Sequence, residues 1–169
     1  LYHAKDSGRD CFQFFSSSLN EAALQRLLLE GHLRRAVQND ELVAYFQPQV
    51  DGRTNRVVAV EALMRWNRPE AGLIAPAQFI HVAEESGSIH ELGRWILHKS
   101  STESMARGWH ARGVNVAVNI SAQQFKRPDV VDTLVEAVAS SGLSPDALSL
   151  EITESVLADH ARAVPTLRA

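Results

Sequence analysis

The chain contains 169 residues, of which 45% are hydrophobic and 22% are charged, and its net charge is −3 at pH 7. This composition is typical of soluble globular domains and excludes disordered and fibrous proteins. The acidic balance disfavours a nucleic-acid polymer as partner, and the single cysteine, Cys11, excludes an internal disulfide and a cysteine-rich zinc site.

The first forty residues predict a short tail followed by a connecting helix. Residues 1–15 contain a helical end and a short apolar strand, which together are too small to bury a core. Ser18 and Glu21 have the spacing of a capping box at a helix start. Apolar residues then recur at helical spacing as far as Gln38. We therefore expect a linker helix within residues 16–40.

From residue 41 onward, strand and helix patterns alternate. The predicted strands are 42–49, 56–64, 114–120 and 147–153, and the predicted helices are 76–85, 90–112, 130–140 and 159–168. The Asp51-Gly52 turn joins the first two strands as an antiparallel pair. The later order of β-α-α-β-α-β-α predicts a parallel sheet with right-handed crossovers, and hence an α/β fold.

Three oxygen-bearing side chains interrupt apolar strands near their C-terminal ends. They are Glu61 in V-V-A-V-E-A-L, Asn119 in V-N-V-A-V-N-I and Glu151 in L-S-L-E-I-T-E. This end of the strands carries the active site in α/β barrels, and two carboxylates with one amide oxygen suit Mg²⁺ or Mn²⁺. The alternative is a set of hydrogen-bonded core groups that anchor loops, because buried carboxylates need partners.

Several short motifs in a fixed order carry a family resemblance. They are Y-F-Q-P-Q (45–49), E-A-L-M-R-W (61–66), P-A-Q-F-I (76–80), A-E-E-S-G (83–87), V-N-I-S (118–121) and E-I-T-E-S (151–155). In combination they resemble the EAL domains, which are bacterial phosphodiesterases that cleave cyclic di-GMP to the linear dinucleotide pGpG. The resemblance implies a partial, TIM-like (β/α)8 barrel over residues 41–169, whose first strand is antiparallel.

The resemblance also implies a role for each matched residue. Metal-ligand positions match Glu61, Asn119 and Glu151, of which Glu61 is also the candidate catalytic residue, and positions that contact the cyclic dinucleotide match Gln47, Leu63 and Arg65. Glu154 matches a position that steadies a loop controlling metal binding and dimer contact. For Arg65 the chemistry agrees, because a guanidinium suits a pair of phosphate oxygens. Trp66, directly after it, is a candidate to flank the ligand.

Each of these residues also has an ordinary structural interpretation. Arg65 fits a surface ion pair, Leu63 fits packing, and Glu154 fits a solvated carboxylate at a strand end. Upstream, L-Y-H-A-K at 1–5 with Gly8-Arg9 resembles the closing segment of GGDEF domains, the cyclases that make cyclic di-GMP. Residues 1–15 are therefore interpreted as a GGDEF tail, without assigned cyclase activity.

The expected function is metal-assisted hydrolysis of cyclic di-GMP by the full-length protein. The D-D-F-G-T-G segment of EAL domains, a downstream Lys and a water-activating Glu are not present in this sequence. We therefore interpret the chain as a truncated half domain that is inactive alone. The alternatives are an inactive EAL domain that acts as a cyclic di-GMP receptor, or a regulatory interaction module.

Two further expectations concern the state and location of the chain. A half barrel leaves an open strand edge, which favours a homodimer or a swapped oligomer. The sequence has neither a signal peptide nor an apolar run of the ~18 residues that a membrane span needs. We expect this segment to be cytoplasmic and to have no membrane contact. A membrane anchor in other segments of the protein is compatible with this expectation.

Overall fold

A computed structural model of the chain describes residues 17–152, which form a five-stranded sheet with helices packed on one face. The strands are β1 (Leu42–Val50), β2 (Val57–Arg68), β3 (Gly72–Ile74), β4 (Asn115–Ile120) and β5 (Leu148–Ile152). The helices are α1 (Ser17–Ala36), α2 (Ile80–Ser86), α3 (Ile89–Arg107), α4 (Ala122–Phe125) and α5 (Val130–Ser141). Across this range, no helix combines the length and the apolar character that crossing a membrane requires.

The strand order is β1-β2-β4-β5, and the short β3 pairs with β2. Strand β1 is antiparallel to β2, whereas β2 with β4 and β4 with β5 are parallel. The parallel pairs are joined through helices, as crossover connections require. The predicted α/β fold with an antiparallel first strand is confirmed, and the sheet is open rather than closed into a complete barrel within the described range.

The β1–β2 hairpin is fixed by the side chain of Asp51. Its carboxylate accepts hydrogen bonds from the backbone N–H groups of Arg53 and Thr54, at 3.0 and 2.8 Å. The hydrogen bond from Thr54 is the main reason that the pKa of Asp51 lies below its usual value. This turn sets a register in which Gln47 lies directly opposite Glu61.

Several predicted boundaries were wrong for local physical reasons. The helix predicted over 90–112 ends at Arg107, because Gly108 adopts a left-handed conformation with φ of 60°. A separate 3₁₀ turn follows at His110–Arg112. The helix predicted over 76–85 opens as a 3₁₀ turn and becomes α-helical only from Ile80. The predictions for residues 1–15, the strand end at 153 and the helix over 159–168 lie outside the described residues.

Helix α3 buries three serines against the rest of the core, and they differ in hydrogen bonding. Ser100 donates its hydroxyl hydrogen to the carbonyl oxygen of Leu97 at 3.1 Å. The equally buried hydroxyls of Ser101 and Ser104 have no partner among residues 17–152. A buried hydroxyl without a partner costs about 1–3 kcal/mol.

We expect Ser101→Ala and Ser104→Ala each to raise the free energy of unfolding by about 1 kcal/mol, because each removes an unsatisfied group. Ser100→Ala is the matched control, since it gains the same helix propensity but loses a satisfied hydrogen bond. Urea denaturation of the three variants measures the difference. Equal stabilisation by all three substitutions would show that helix propensity, rather than the unsatisfied hydroxyls, is responsible.

Candidate active site

Strand β2 divides its side chains between a packed face and a face that carries polar groups. Ala62, Met64 and Trp66 are buried in the core that the helices cover. Glu61 and Arg65 alternate with them and are half-buried on the opposite face. This division follows from the pleat of a strand, in which successive side chains point to opposite sides.

Glu61 and Asn119 are in direct contact on the polar face. Glu61 pairs with Ala117 in the parallel β2–β4 register, so that Asn119 follows two residues later on the same side. The Nδ2 of Asn119 donates to Oε1 of Glu61 at 2.8 Å, across 58 residues of sequence. The structure thus brings together two of the three side chains for which the sequence predicts a common role.

Glu151 joins this group from the next strand. It lies opposite Asn119 in the parallel β4–β5 register and is half-buried. Its Oε1 accepts a hydrogen bond from Nε2 of Gln49, on β1, at 3.1 Å. Sequence reasoning did not select Gln49, although its spacing of two residues from Gln47 places both amides on one face of the strand.

The residues predicted to contact a dinucleotide lie on the same face. Gln47 is exposed and directly opposite Glu61, and Leu63 lies opposite Tyr45. The guanidinium carbon of Arg65 lies 5.7 Å from the centroid of the Tyr45 ring. Nη1 of Arg65 also donates to the carbonyl oxygen of Met64 at 2.9 Å, which leaves further N–H groups of the guanidinium for a ligand.

Two residues named in the sequence analysis, Trp66 and Glu154, are not found in this group of described residues. Trp66 does not flank this group, because it is fully buried on the helix-covered face. Its indole Nε1 donates to Oε2 of Glu41 at 2.8 Å. Glu154 lies outside the described residues, so that its proposed loop contact is not visible.

A cavity of about 530 Å³ lies between β2, β4 and the first turns of α3. It is lined by residues of the helix-covered face, including Ala62 and Met64, and it extends to Leu63 and Asn119. Its walls are mainly apolar and include Ile80 and Ile96. Its lining also includes Glu84. The cavity is therefore suited to a largely apolar group that carries a few hydrogen-bonding atoms.

The chain turn directly after Asn119 is held by a capping box at the start of α4. The Oγ of Ser121 accepts from the backbone N–H of Gln124 at 3.2 Å, and Oε1 of Gln124 accepts from the backbone N–H of Ser121 at 3.1 Å. Gln124 is buried against Gly93 of α3, where an added Cβ would lie 1.7 Å from its Nε2. Gly93 therefore permits the packing that fixes the corner next to Asn119.

The donor set suits a hard divalent cation without completing its coordination. Within residues 17–152, no cluster of three or more His, Cys, Asp or Glu side chains has the geometry of a metal site. Glu61, Asn119 and Glu151 offer two carboxylates and one amide on adjacent strands, which are the oxygen ligands that Mg²⁺ and Mn²⁺ prefer. Mg²⁺ commonly keeps several water ligands, so an incomplete protein shell agrees with this chemistry.

Comparison with known proteins adds an independent line of evidence. The family model described as EAL domain matches residues 30–169. Among curated proteins, the bifunctional diguanylate cyclase/cyclic di-GMP phosphodiesterase MucR of Pseudomonas aeruginosa is 41% identical over 157 residues, which cover 92% of this chain and 23% of MucR. The cyclic di-GMP phosphodiesterase PdeR of Escherichia coli is 38% identical over 162 residues, which cover 95% of this chain and 24% of PdeR. The chain thus spans about a quarter of these relatives.

Solved structures show the same fold. A structure titled PaMucR phosphodiesterase in complex with c-di-GMP has a TM-score of 0.79 and 37% identity, and the match covers 83% of this chain and 58% of that one. The FimX EAL domain of Xanthomonas citri, with a TM-score of 0.76 over 88% of this chain and 58% of its own, is only 23% identical and supports the fold alone. The described sheet therefore corresponds to part of a TIM-barrel-like domain.

Proposed function

Because the chain belongs to the EAL domain family, we propose that the full-length protein that carries it hydrolyses cyclic di-GMP to pGpG in a divalent-metal-dependent reaction. The observation that carries the proposal is the Glu61–Asn119 contact on the same sheet face as Gln47 and Arg65. This face thus combines side-chain oxygens of Glu61 and Asn119, which are ligands for a cation, with the N–H donors of Gln47 and Arg65 for a phosphodiester. The relatives named as cyclic di-GMP phosphodiesterases agree with this activity.

Glu61, Asn119 and Glu151 would hold Mg²⁺ or Mn²⁺ at the open face of the sheet. When bound, such a cation neutralises phosphodiester charge and lowers the pKa of water. The oxygen of the Asn119 amide becomes available if the amide turns by half a rotation, since its nitrogen now faces Glu61. The two carboxylates supply the negative charge that retains the cation.

Substrate binding is assigned to the neighbouring residues of the same face. Arg65 binds a non-bridging phosphate oxygen through the guanidinium N–H groups that Met64 does not engage. The amide of Gln47, directly opposite Glu61, binds the substrate next to that phosphate. Leu63, the third residue assigned to the dinucleotide, lies on the same face, opposite Tyr45.

The proposal extends to parts of the protein that the sequence alone suggests. Residues 1–15 belong to a GGDEF tail, residues 16–40 to a linker helix and residues 41–169 to the first half of the EAL domain. Glu154 steadies a loop beside the metal site. The 169-residue chain is inactive alone and associates through its open sheet edge as a homodimer or swapped oligomer, and the full-length protein acts in the cytoplasm.

The assay that tests the proposal measures pGpG formation by the purified full-length protein with added Mn²⁺ or Mg²⁺. Metal-dependent turnover is the expected result, and removal of the metal with a chelator should abolish it. Tight binding of cyclic di-GMP without turnover at any metal concentration would contradict hydrolysis and would favour a receptor.

Arg65→Ala in the full-length protein should raise KM for cyclic di-GMP by about 10- to 100-fold, because a charged hydrogen bond contributes about 1.5–3 kcal/mol. The effect on kcat should be smaller, since the substitution leaves the metal ligands in place. Arg68→Ala is the matched control, because Arg68 lies on the same strand but its guanidinium carbon is 5.8 Å from the Trp66 ring on the opposite face. Steady-state kinetics separate the two parameters, and equal effects of both substitutions would argue against a substrate contact at Arg65.

A further inference from the structure

Gln49 makes a hydrogen bond that joins the two outer strands of the β1-β2-β4-β5 order. Its Nε2 on β1 donates to Oε1 of Glu151 on β5 at 3.1 Å. The two residues are 102 positions apart in sequence, and both are half-buried. The contact therefore depends on the curvature of the sheet, which brings strands together across the polar face.

The strands between them leave space for this contact. Gln49 lies opposite Ala59 on β2, which in turn pairs with the first residue of β4. Two positions further along β4, on the same face, lies Ala117, opposite Ser149 of β5. The short side chains of Ala59 and Ala117 leave room on this face for Gln49 to extend towards Glu151, beside the longer Asn115.

The chemistry of the contact suits the support of a metal ligand. A carboxylate has two oxygens, and Gln49 engages only Oε1 of Glu151. Among residues 17–152, no hydrogen bond engages the second oxygen, and Asn119 is the register partner of Glu151 on the neighbouring strand. Because the amide is neutral, it orients the carboxylate without cancelling the charge that a cation requires.

We propose that Gln49 is a positioning residue that holds the carboxylate of Glu151 for cation binding. This inference rests on the proposed function, because it assigns Glu151 to a divalent cation site. Hydrogen bonds to ligating carboxylates fix their orientation, and their loss typically lowers metal affinity by 10- to 100-fold. A purely structural tie between β1 and β5 would instead affect stability and leave metal affinity unchanged.

The test measures Mn²⁺ binding to the full-length protein by calorimetry and its phosphodiesterase rate as a function of Mn²⁺ concentration. Gln49→Met keeps the length of the side chain but removes the donor, and it should weaken Mn²⁺ binding by about 10- to 100-fold. Saturating Mn²⁺ should restore most of kcat, because Gln49 itself contacts neither substrate nor metal. Gln49→Asn keeps the amide but is one methylene too short to reach Glu151, and it should weaken Mn²⁺ binding to a similar extent. This second variant keeps the test decisive if Gln49→Met fails to fold.

Gln38→Met is the control, since Gln38 is exposed in the connection between α1 and β1. Unchanged Mn²⁺ affinity in folded Gln49→Met and Gln49→Asn would overturn the positioning role while leaving the proposed function intact. A full-length protein that binds no Mn²⁺ and hydrolyses nothing would overturn the proposed function, and this inference with it.

Discussion

Glu61→Gln is expected to lower the rate of pGpG formation by the full-length protein by more than about 100-fold, which exceeds the usual loss for residues that only support a metal ligand. The substitution replaces the carboxylate that accepts the hydrogen bond from Asn119 of β4 with a neutral amide. The neutral amide at position 61 would hold a divalent cation less strongly, and the water activation that such a cation would supply would be lost with it. The measurement is kcat at saturating cyclic di-GMP over a range of Mn²⁺ concentrations.

The stability of Glu61→Gln should match that of the unaltered protein, because Glu61 lies on the open face of β2 rather than in the core. Glu70→Gln in the exposed β2–β3 connection is the matched control, since it removes one carboxylate that lies outside the strands carrying Glu61, Asn119 and Glu151. Full activity of a folded Glu61→Gln protein would contradict the assignment of Glu61 to catalysis.

Trp66→Ala should reduce the free energy of unfolding by about 3–5 kcal/mol, the usual cost of truncating a buried aromatic side chain. Trp66 is fully buried and packs edge-on against Phe79, with ring centroids 5.8 Å apart. Its indole also donates to Glu41 at 2.8 Å, which ties β2 to the end of the α1–β1 connection. Chemical denaturation at pH 7 measures the loss.

Trp66→Phe separates the packing of the ring from its hydrogen bond, since it keeps an aromatic side chain but removes the N–H donor. The hydrogen bond from Trp66 is the largest reason that the pKa of Glu41 lies below its usual value. A lowered folded-state pKa adds stability above the unfolded-state pKa, and this contribution disappears as the pH falls through the lowered value. When the pH falls from 7 to below about 4, the free energy of unfolding of Trp66→Phe should therefore decrease less than that of the unaltered protein. Identical pH profiles of the two proteins would contradict this role of Glu41.

The placement of the candidate ligands could be predicted from sequence because it depends on strand periodicity. Glu61, Asn119 and Glu151 each follow apolar residues of a strand, and parallel register brings the corresponding ends of β2, β4 and β5 together. The antiparallel entry of β1 follows from the short connection at Asp51. These features are local in sequence, or repeat with a period of two.

The features that sequence reasoning missed depend on longer-range or competing effects. The second strand was predicted to end at Met64, whereas β2 continues to Arg68. Trp66 therefore belongs to the strand, and the alternation of side chains places it on the face opposite to that of Glu61. Two glycines compete to end α3, and the earlier one, Gly108, prevails. The Gln49–Glu151 bond requires the curvature of the whole sheet, which no local pattern specifies.

The alternation along β2 has an evolutionary consequence. Residues that determine folding, such as Met64 and Trp66, and residues assigned to chemistry, such as Glu61 and Arg65, occupy interleaved positions but separate environments. Selection can therefore act on one set without strongly constraining the other. A lineage that ceased to need turnover would be able to lose a carboxylate in a single step, still produce a folded protein, and retain a surface available for a new signalling role.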